Sequence, residues 1–352
     1  MTIQLGLCCI HMCLRYQKPS IFSNRSCKLD TIYSKGLEEA IRLANLNLDD
    51  LETMLQWNYD HGIFVFRMSS NIFPHGSNPV LIKHFGEAGE DYLNLKMFKK
   101  RLNQIGKIAK QLGIRLTFHP GQYVQIATPT ESVFEKSMLD LKMHALILDY
   151  MELDQDSVMV IHGGGTYGNK AGTIKRMNKR LKEMPKYIKN RLVLENDEKL
   201  YTVSDLLPVC KKNNIPLVFD YFHLQCYNKK HLNDVNDIYK LTPDILAIWE
   251  KRGIKPKFHL SEQGDGVIGS HSTIINEIPQ YFFDILEKYK IDFDIMIEAK
   301  GKEVSLGLLY AKYPNLFIKE GKEMIKTTIP KGALKDVKID TVIKDSVEYI
   351  DK

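Results

Sequence analysis

Residues 191 to 223 read RLVLENDEKLYTVSDLLPVCKKNNIPLVFDYFH, and three signals follow one another within them. RLVLE (191–195) is a short aliphatic run that closes on an acid. VSDLLPVCKKNN (203–214) has the apolar spacing of an amphipathic helix and ends in the asparagines that helix C-termini favour. PLVFD (216–220) is a second apolar run that closes on an acid, with His223 three residues beyond. The stretch is one strand–helix–strand unit with an ionisable group at the end of each strand.

The unit recurs in both directions. IQLGLC (3–8), IFVFR (63–67), IRLTF (114–118) and SVMVI (157–161) precede it, and PKFHL (256–260) and FDIMIE (293–298) follow. Helical patterns lie between them, among others DDLETMLQWNYDHG (49–62), YLNLKMFKKRLNQIGKIAKQLG (92–113) and ESVFEKSMLDLKMHALILDYM (131–151). Eight alternations of strand and helix are the sequence form of an α/β fold of the (β/α)8, or TIM-barrel, type. In a chain of 352 residues this assigns 1–303 to the barrel and 304–352 to a C-terminal extension. Residues 303–320 of that region look helical, whereas Pro330 and Gly332 interrupt the remainder, in which acids and lysines nearly balance.

The strand ends carry the chemistry. His119 follows strand three, His162 follows strand four, Glu195 closes strand five, and Asp220 closes strand six with His223 beyond. His259 lies in strand seven and Glu298 closes strand eight. Barrel active sites are built on this C-terminal face of the strands. With His271 these residues make eight oxygen and nitrogen donors and no thiolate, which suits manganese, zinc, iron or cobalt and is too many for one ion. The expected cofactor is therefore two or three divalent metal ions, an arrangement suited to phosphodiester hydrolysis. The six cysteines contain no CxxC pair, and Cys8, Cys9 and Cys13 are read as packed residues in a reducing compartment.

The formal charge of +6 is local in origin. Residues 170–191 hold nine basic residues and one acid, and residues 96–115 hold seven basic residues and no acid. On one helix Lys175, Lys179, Lys182 and Lys186 would form a stripe with Arg176 and Arg180 beside it. Two such runs flanking a metal-type site point to a polyanionic partner, since phosphate neutralisation supplies most non-specific nucleic-acid affinity. No apolar stretch is long enough to span a membrane. The opening MTIQLGLCCIHMCL lacks the basic start and small-residue cleavage site of a signal peptide, so an intracellular, cytoplasmic or nuclear, location is expected.

At strand three the sequence reads RLTFHPGQYVQ (115–125). With FRMSSNIFPHGSNP (66–79), VIHGGGTYGNK (160–170), LENDE (194–198), FDYFH (219–223), KFHLSEQ (257–263) and IEAKGKE (297–303), all in order, it resembles the UV damage endonuclease family, barrel enzymes related to the endonuclease IV type. The resemblance implies a DNA repair endonuclease that nicks damaged double-stranded DNA immediately 5′ of ultraviolet photoproducts and some other distortions, leaving a 3′-hydroxyl and a 5′-phosphate. It implies that His119, His162, Glu195, Asp220, His223, His259, His271 and Glu298 hold the metals, with manganese expected. It places Gln122 and Tyr123 as the pair inserted at the lesion, where an aromatic plane replaces lost stacking and an amide reaches base edges.

Glu195, Glu298 and Lys257 are the expected catalytic residues. Lys257 lies two residues before His259 and so shares its face of the strand. A cation beside metals is unfavourable unless it meets phosphate, loses its proton or is converted by CO2 into a carbamate, so Lys257 is expected to be either a phosphate or water contact or a carbamylated metal ligand. Arg67, closing strand two, and Lys170, after the glycine-rich HGGGTYGNK, are expected phosphate contacts. The first strand departs from the family, with Leu7 and His11 where an aromatic and an amide are usual, which leaves a lesion contact from it open: His11 is either a substitute hydrogen-bonding group or a loop histidine with no role. His61, His75, His84, His144 and His231 stand outside the strand-end pattern. A monomer is expected. An abasic-site endonuclease of the endonuclease IV type shares most of these ligands, while a metal-dependent sugar isomerase and a non-catalytic damaged-DNA binder are the remaining alternatives.

Overall fold

Each of the eight apolar runs is a strand in the computed structural model, which describes residues 1–231, 237–318, 320–330 and 349–350. They are β1 Ile3–Cys8, β2 Val65–Arg67, β3 Arg115–Thr117, β4 Met159–His162, β5 Leu192–Glu195, β6 Leu217–Asp220, β7 Lys257–Leu260 and β8 Phe293–Ile297. All pair in parallel, in the order β3-β2-β1-β8-β7-β6-β5-β4. A bridge between Phe118 and Met159 joins β3 to β4 and closes the barrel, through Phe118 N–H to Val158 O and Val160 N–H to Phe118 O, both 2.9 Å. Closure removes the free edges that a parallel sheet would otherwise expose.

Alternation along the strands sorts residues into two environments. Leu5, Leu7, Phe66, Leu116, Phe118, Ile161, Leu194, Phe219, Phe258 and Ile297 belong to one continuous apolar core shared with the surrounding helices. Leu7 is fully buried in it. The alternate residues point into the barrel, where Cys8, Val65 and Met296 form a separate small cluster. Gly6 fits there because a Cβ would come within 2.9 Å of Met296.

Three helical expectations are corrected. The pattern at 92–113 splits into helix Glu87–Leu93, one 3-10 turn Lys96–Phe98 and helix Lys99–Gln111, because Leu95 adopts a left-handed backbone with φ 53°. The basic helix ends at Glu183, and Lys186 begins a separate short helix. Pro185 stands between them, where a ring in place of an N–H disfavours helix for the residue before it. The stripe is thus Lys175, Lys179 and Lys182, without Lys186. Likewise the helix after β8 is Glu303–Lys312, and Pro314 opens only a 3-10 turn to Leu316. The sequence pattern noted around Gly332 falls at 331–348, outside the described residues. No described helix is long and apolar enough to cross a membrane.

Candidate metal centre

Strand register explains why the candidate ligands meet. His162 on β4 is paired with Glu195 on β5, and Asp220 on β6 with His259 on β7. Residues so paired on neighbouring strands sit about 5 Å apart. Glu298 follows β8 and is hydrogen-bonded to β7 through its N–H and Leu260 O. Glu195, fully buried, is the hub. Its Oε2 lies 3.0 Å from His119 Nε2 and 3.9 Å from His162 Nε2. Its Oε1 lies 3.0 Å from His259 Nδ1 and 3.6 Å from His223 Nδ1. Glu298 lies 3.2 Å from His259 Nδ1 and 3.9 Å from His271 Nδ1, and accepts a hydrogen bond from Arg67. Ligand atoms within 4.8 Å of one another form three overlapping groups: His119, His162 and Glu195; Glu195, Asp220 and His259; and His119, His259 and Glu298. His223 and His271 stand at the edge of this cluster.

The electrostatics favour cations. Burial opposes charge on Glu195, yet the imidazoles of His259, His162 and His119 hold its carboxyl well below the usual range. Burial likewise opposes charge on Glu298, and Arg67 and His259 lower its pKa nonetheless. Asp220 is pushed up to about 7 by burial, against the effect of His223. Burial lowers His162 to about 4 and also lowers His259 and His271, keeping these rings neutral and able to ligate. His223 rises to about 9, because Asp220, Glu195 and Glu298 outweigh its burial.

Three of these groups have a buried atom with no hydrogen-bond partner among the described residues: Asp220 Oδ2, His259 Nε2 and His162 Nδ1. Leaving such atoms unpaired costs about 1–3 kcal/mol each. Oxygen and imidazole donors gathered with orphaned atoms fit divalent ions. Cys8, beside the cluster, is not a ligand of this kind, since burial pushes its thiol up to about 12 and its Sγ donates to Ile297 O.

Beneath the cluster the barrel interior stays polar. Lys257, fully buried, donates to Thr117 Oγ1 at 2.6 Å. One layer deeper, Arg115 donates to Asp294 at 2.6 Å, and Lys255 lies 2.6 Å from the same carboxylate. Lys257 is lowered to about 7 by burial and by Arg115 and Arg67. Thr117 and Asp294 were not singled out from sequence, although both fall on the alternating inner face that carries His119 and Glu298. Asn196 also went unnoticed inside LENDE. Its side chain donates to Asp220 O and accepts from Asp220 N–H, and its carbonyl lies 3.0 Å from His223 Nδ1, fixing two candidate ligands.

Around the mouth, Gln122 and Tyr123 are both exposed on the loop after β3. Tyr123 donates to Asp140 at 3.0 Å, and Asp140 also meets Ser77 and His144. Gln125 ties this loop to the next, donating to Gln122 O and accepting from Gly165 N–H and Tyr167 Oη. The basic helix braces it from behind: Arg176 donates to Ala127 O, and Arg180 to Ile126 O, Thr128 O and Glu131. Arg101, Arg115 and Arg191 are likewise paired internally. In both basic runs the arginines are paired internally while the lysines other than Lys170 and Lys189 are exposed, a distinction that charge counting cannot see.

The two expected phosphate contacts are engaged as well, Arg67 with Glu298 and Lys170 with Asp205 at 2.5 Å, where Asp205 completes the capping box of helix Val203–Asn213. His11 is buried, 2.7 Å from Asn58 Oδ1 and packed against Trp57 and Phe66. His61, His75 and His144 are held by main-chain carbonyls. His84 packs on Tyr33, and the side chain of His231 lies outside the described residues.

A closed parallel (β/α)8 barrel whose mouth gathers carboxylates and imidazoles that could hold metal ions, with an exposed aromatic loop beside them, is the class of fold and site that this chain presents. Residues 3–330 match the family model described as UV-endonuclease UvdE, and the chain belongs to that family. A protein of Acanthamoeba polyphaga mimivirus, provisionally described as a UV-damage endonuclease, is 39% identical over 315 residues, covering 88% of this chain and 91% of the relative. The UV-damage endonuclease of Schizosaccharomyces pombe is 36% identical over 320 residues, 88% of this chain, which spans 50% of that relative's length. The crystal structure of SacUVDE superposes with a TM-score of 0.73 at 28% identity, covering 90% of this chain and 100% of that one.

Proposed function

We propose that this chain is a metal-dependent DNA repair endonuclease that hydrolyses the phosphodiester immediately 5′ of ultraviolet photoproducts, leaving a 3′-hydroxyl and a 5′-phosphate. The observation that carries the reading is the cluster around Glu195 with its orphaned buried atoms on Asp220, His259 and His162. The proposed ligands are His119, His162, Glu195, Asp220, His223, His259, His271 and Glu298, holding two or three ions, with manganese as the physiological metal. When bound, such ions ionise water, neutralise phosphate oxygens and stabilise the departing 3′-oxygen.

The chain's own residues do the rest. Glu195 and Glu298 supply the negative charge that concentrates cations at the mouth, and Arg67 fixes the Glu298 carboxylate. Tyr123 substitutes its ring for lost base stacking and Gln122 hydrogen-bonds exposed base edges. Lys170 and the outward lysines of helix Lys170–Glu183 attract backbone phosphates. Full burial of Lys257 and its pKa of about 7 favour the carbamate over direct phosphate contact. A neutral amine adds to CO2 and loses one proton, giving an anion on the inner face next to His259.

Incubation with manganese and a duplex carrying one pyrimidine dimer should yield a nick whose 3′ end a polymerase extends and whose 5′ end a ligase accepts. A 3′-phosphate or a cut away from the dimer contradicts the reading. A native-mass CO2 adduct lost in Lys257→Ala, with reduced manganese content, is expected. No adduct together with unchanged metal removes the carbamate.

A further inference from the structure

The loop after β7 is built more firmly than a surface loop requires. Gln263 and His271 pair in antiparallel fashion, Gly264 N–H donates to Ser270 O at 2.7 Å, and Ser270 N–H to Val267 O at 3.0 Å. The Gln263 side chain fills the hairpin, donating to Gly264 O and Val267 O and accepting from Gly269 N–H. Gly266 at φ 104° and Gly269 at φ 94° turn the chain in conformations that other residues rarely adopt. Between them this scaffold displays Val267 at 78% exposure and Ile268 at 51%. Two aliphatic side chains are thus held in solvent by a braced turn, with much of the ordering cost met before any partner arrives.

The hairpin is continuous with the candidate site. His271 at its base lies 3.9 Å from Glu298. Gly269 packs on Glu198, where an added Cβ would lie 3.2 Å from the glutamate Cγ. Glu198 in turn lines, with Gln122, Gly164 and His162, a cleft of about 270 Å3. The hairpin therefore stands on the rim of the mouth, across the loop after β5 from the Gln122–Tyr123 loop.

We infer that Val267 and Ile268 form a second, apolar contact to duplex DNA, wedged against the base step beside the lesion from the side opposite Tyr123. Aliphatic groups cannot pair with phosphates, and the apolar surface of a nucleic acid is its base faces. An unstacked step is where such side chains insert, as in proteins that kink DNA. The inference rests on the endonuclease reading and adds a contact to it.

The test uses the full chain with manganese and a duplex bearing one pyrimidine dimer with 2-aminopurine beside it. Val267→Ser/Ile268→Ser should raise KM about tenfold, equivalent to about 1.4 kcal/mol. The kcat and manganese content should be unchanged, and the rise in 2-aminopurine emission on binding should be lost. Val267→Leu/Ile268→Leu should restore both KM and emission. Unchanged KM and emission in the serine variant would overturn the inference. So would loss of manganese with a fall in kcat, which would make the hairpin only a support for His271. A change confined to sedimentation would assign the pair to a second copy of the chain and also overturn it. If the wild type neither cuts nor brightens the dimer duplex, the endonuclease reading fails with it, whereas the other adverse results leave that reading intact.

Discussion

Replacing Tyr123 separates two roles that its geometry combines. The ring is 58% exposed at the mouth while its hydroxyl is tied to Asp140 at 3.0 Å. Base–aromatic stacking is worth about 1–3 kcal/mol per base, a factor of roughly 5 to 150 in affinity. Tyr123→Ala removes that and should weaken binding to a dimer-bearing duplex by such a factor. Affinity for an intact duplex should change far less, because lysine–phosphate attraction is untouched. Tyr123→Phe keeps the ring and loses one hydrogen bond to a carboxylate. Asp140 retains Ser77 and His144, and the exposure of Tyr123 screens the bond, so the cost should be below about 1 kcal/mol. Fluorescence anisotropy with both duplexes, without divalent metal to prevent cutting, reads the comparison. Equal losses on damaged and intact DNA in Tyr123→Ala would refute the stacking role, as would a Tyr123→Phe defect as large as that of alanine.

Glu195→Gln and Glu298→Gln should each abolish incision while leaving DNA binding largely intact, with metal content by elemental analysis falling most in Glu195→Gln, which touches two of the three ligand groups. Manganese affinity should rise with pH between about 6 and 9, because Asp220 at about 7 and His223 at about 9 must surrender protons that loading displaces. Calorimetry in buffers of different ionisation enthalpy should accordingly detect proton release near neutrality that fades above pH 9. Arg180→Ala should cost about 1–3 kcal/mol of stability by freeing the carbonyls of Ile126 and Thr128, and should blunt discrimination between damaged and intact duplexes. Arg180→Lys should not restore discrimination, since one ammonium cannot reproduce the guanidinium fork.

Strand positions were legible because short aliphatic runs alternate with helical patterns along the chain, and β1, β5 and β6 match their runs to within a residue. The convergence of His119, His162, Glu195, Asp220, His259 and Glu298 followed from one rule, that parallel strands of a barrel end on the same face. What stayed hidden depends on pairings between distant residues. Charge counting does not distinguish Arg115, locked to Asp294, from the exposed Lys107 in the same basic run. Nor does sequence show that Arg176 and Arg180 point at the carbonyls of residues 126–128. The breaks at Leu95 and Pro185 had signals of different strength: the proline was visible, whereas a left-handed leucine arises from packing and has no sequence mark. His11 became intelligible only with Asn58 and Trp57 around it.

The central claim is that the Glu195 cluster arms a lesion-selecting nuclease. The measurement that bears on it most directly is cleavage, by purified protein with manganese, of three otherwise identical duplexes carrying one pyrimidine dimer, one abasic site or no damage. The account predicts a single nick 5′ of the dimer that disappears on chelation, with the undamaged duplex left whole. Cleavage at the abasic site alone, or no cleavage of any duplex, would contradict it.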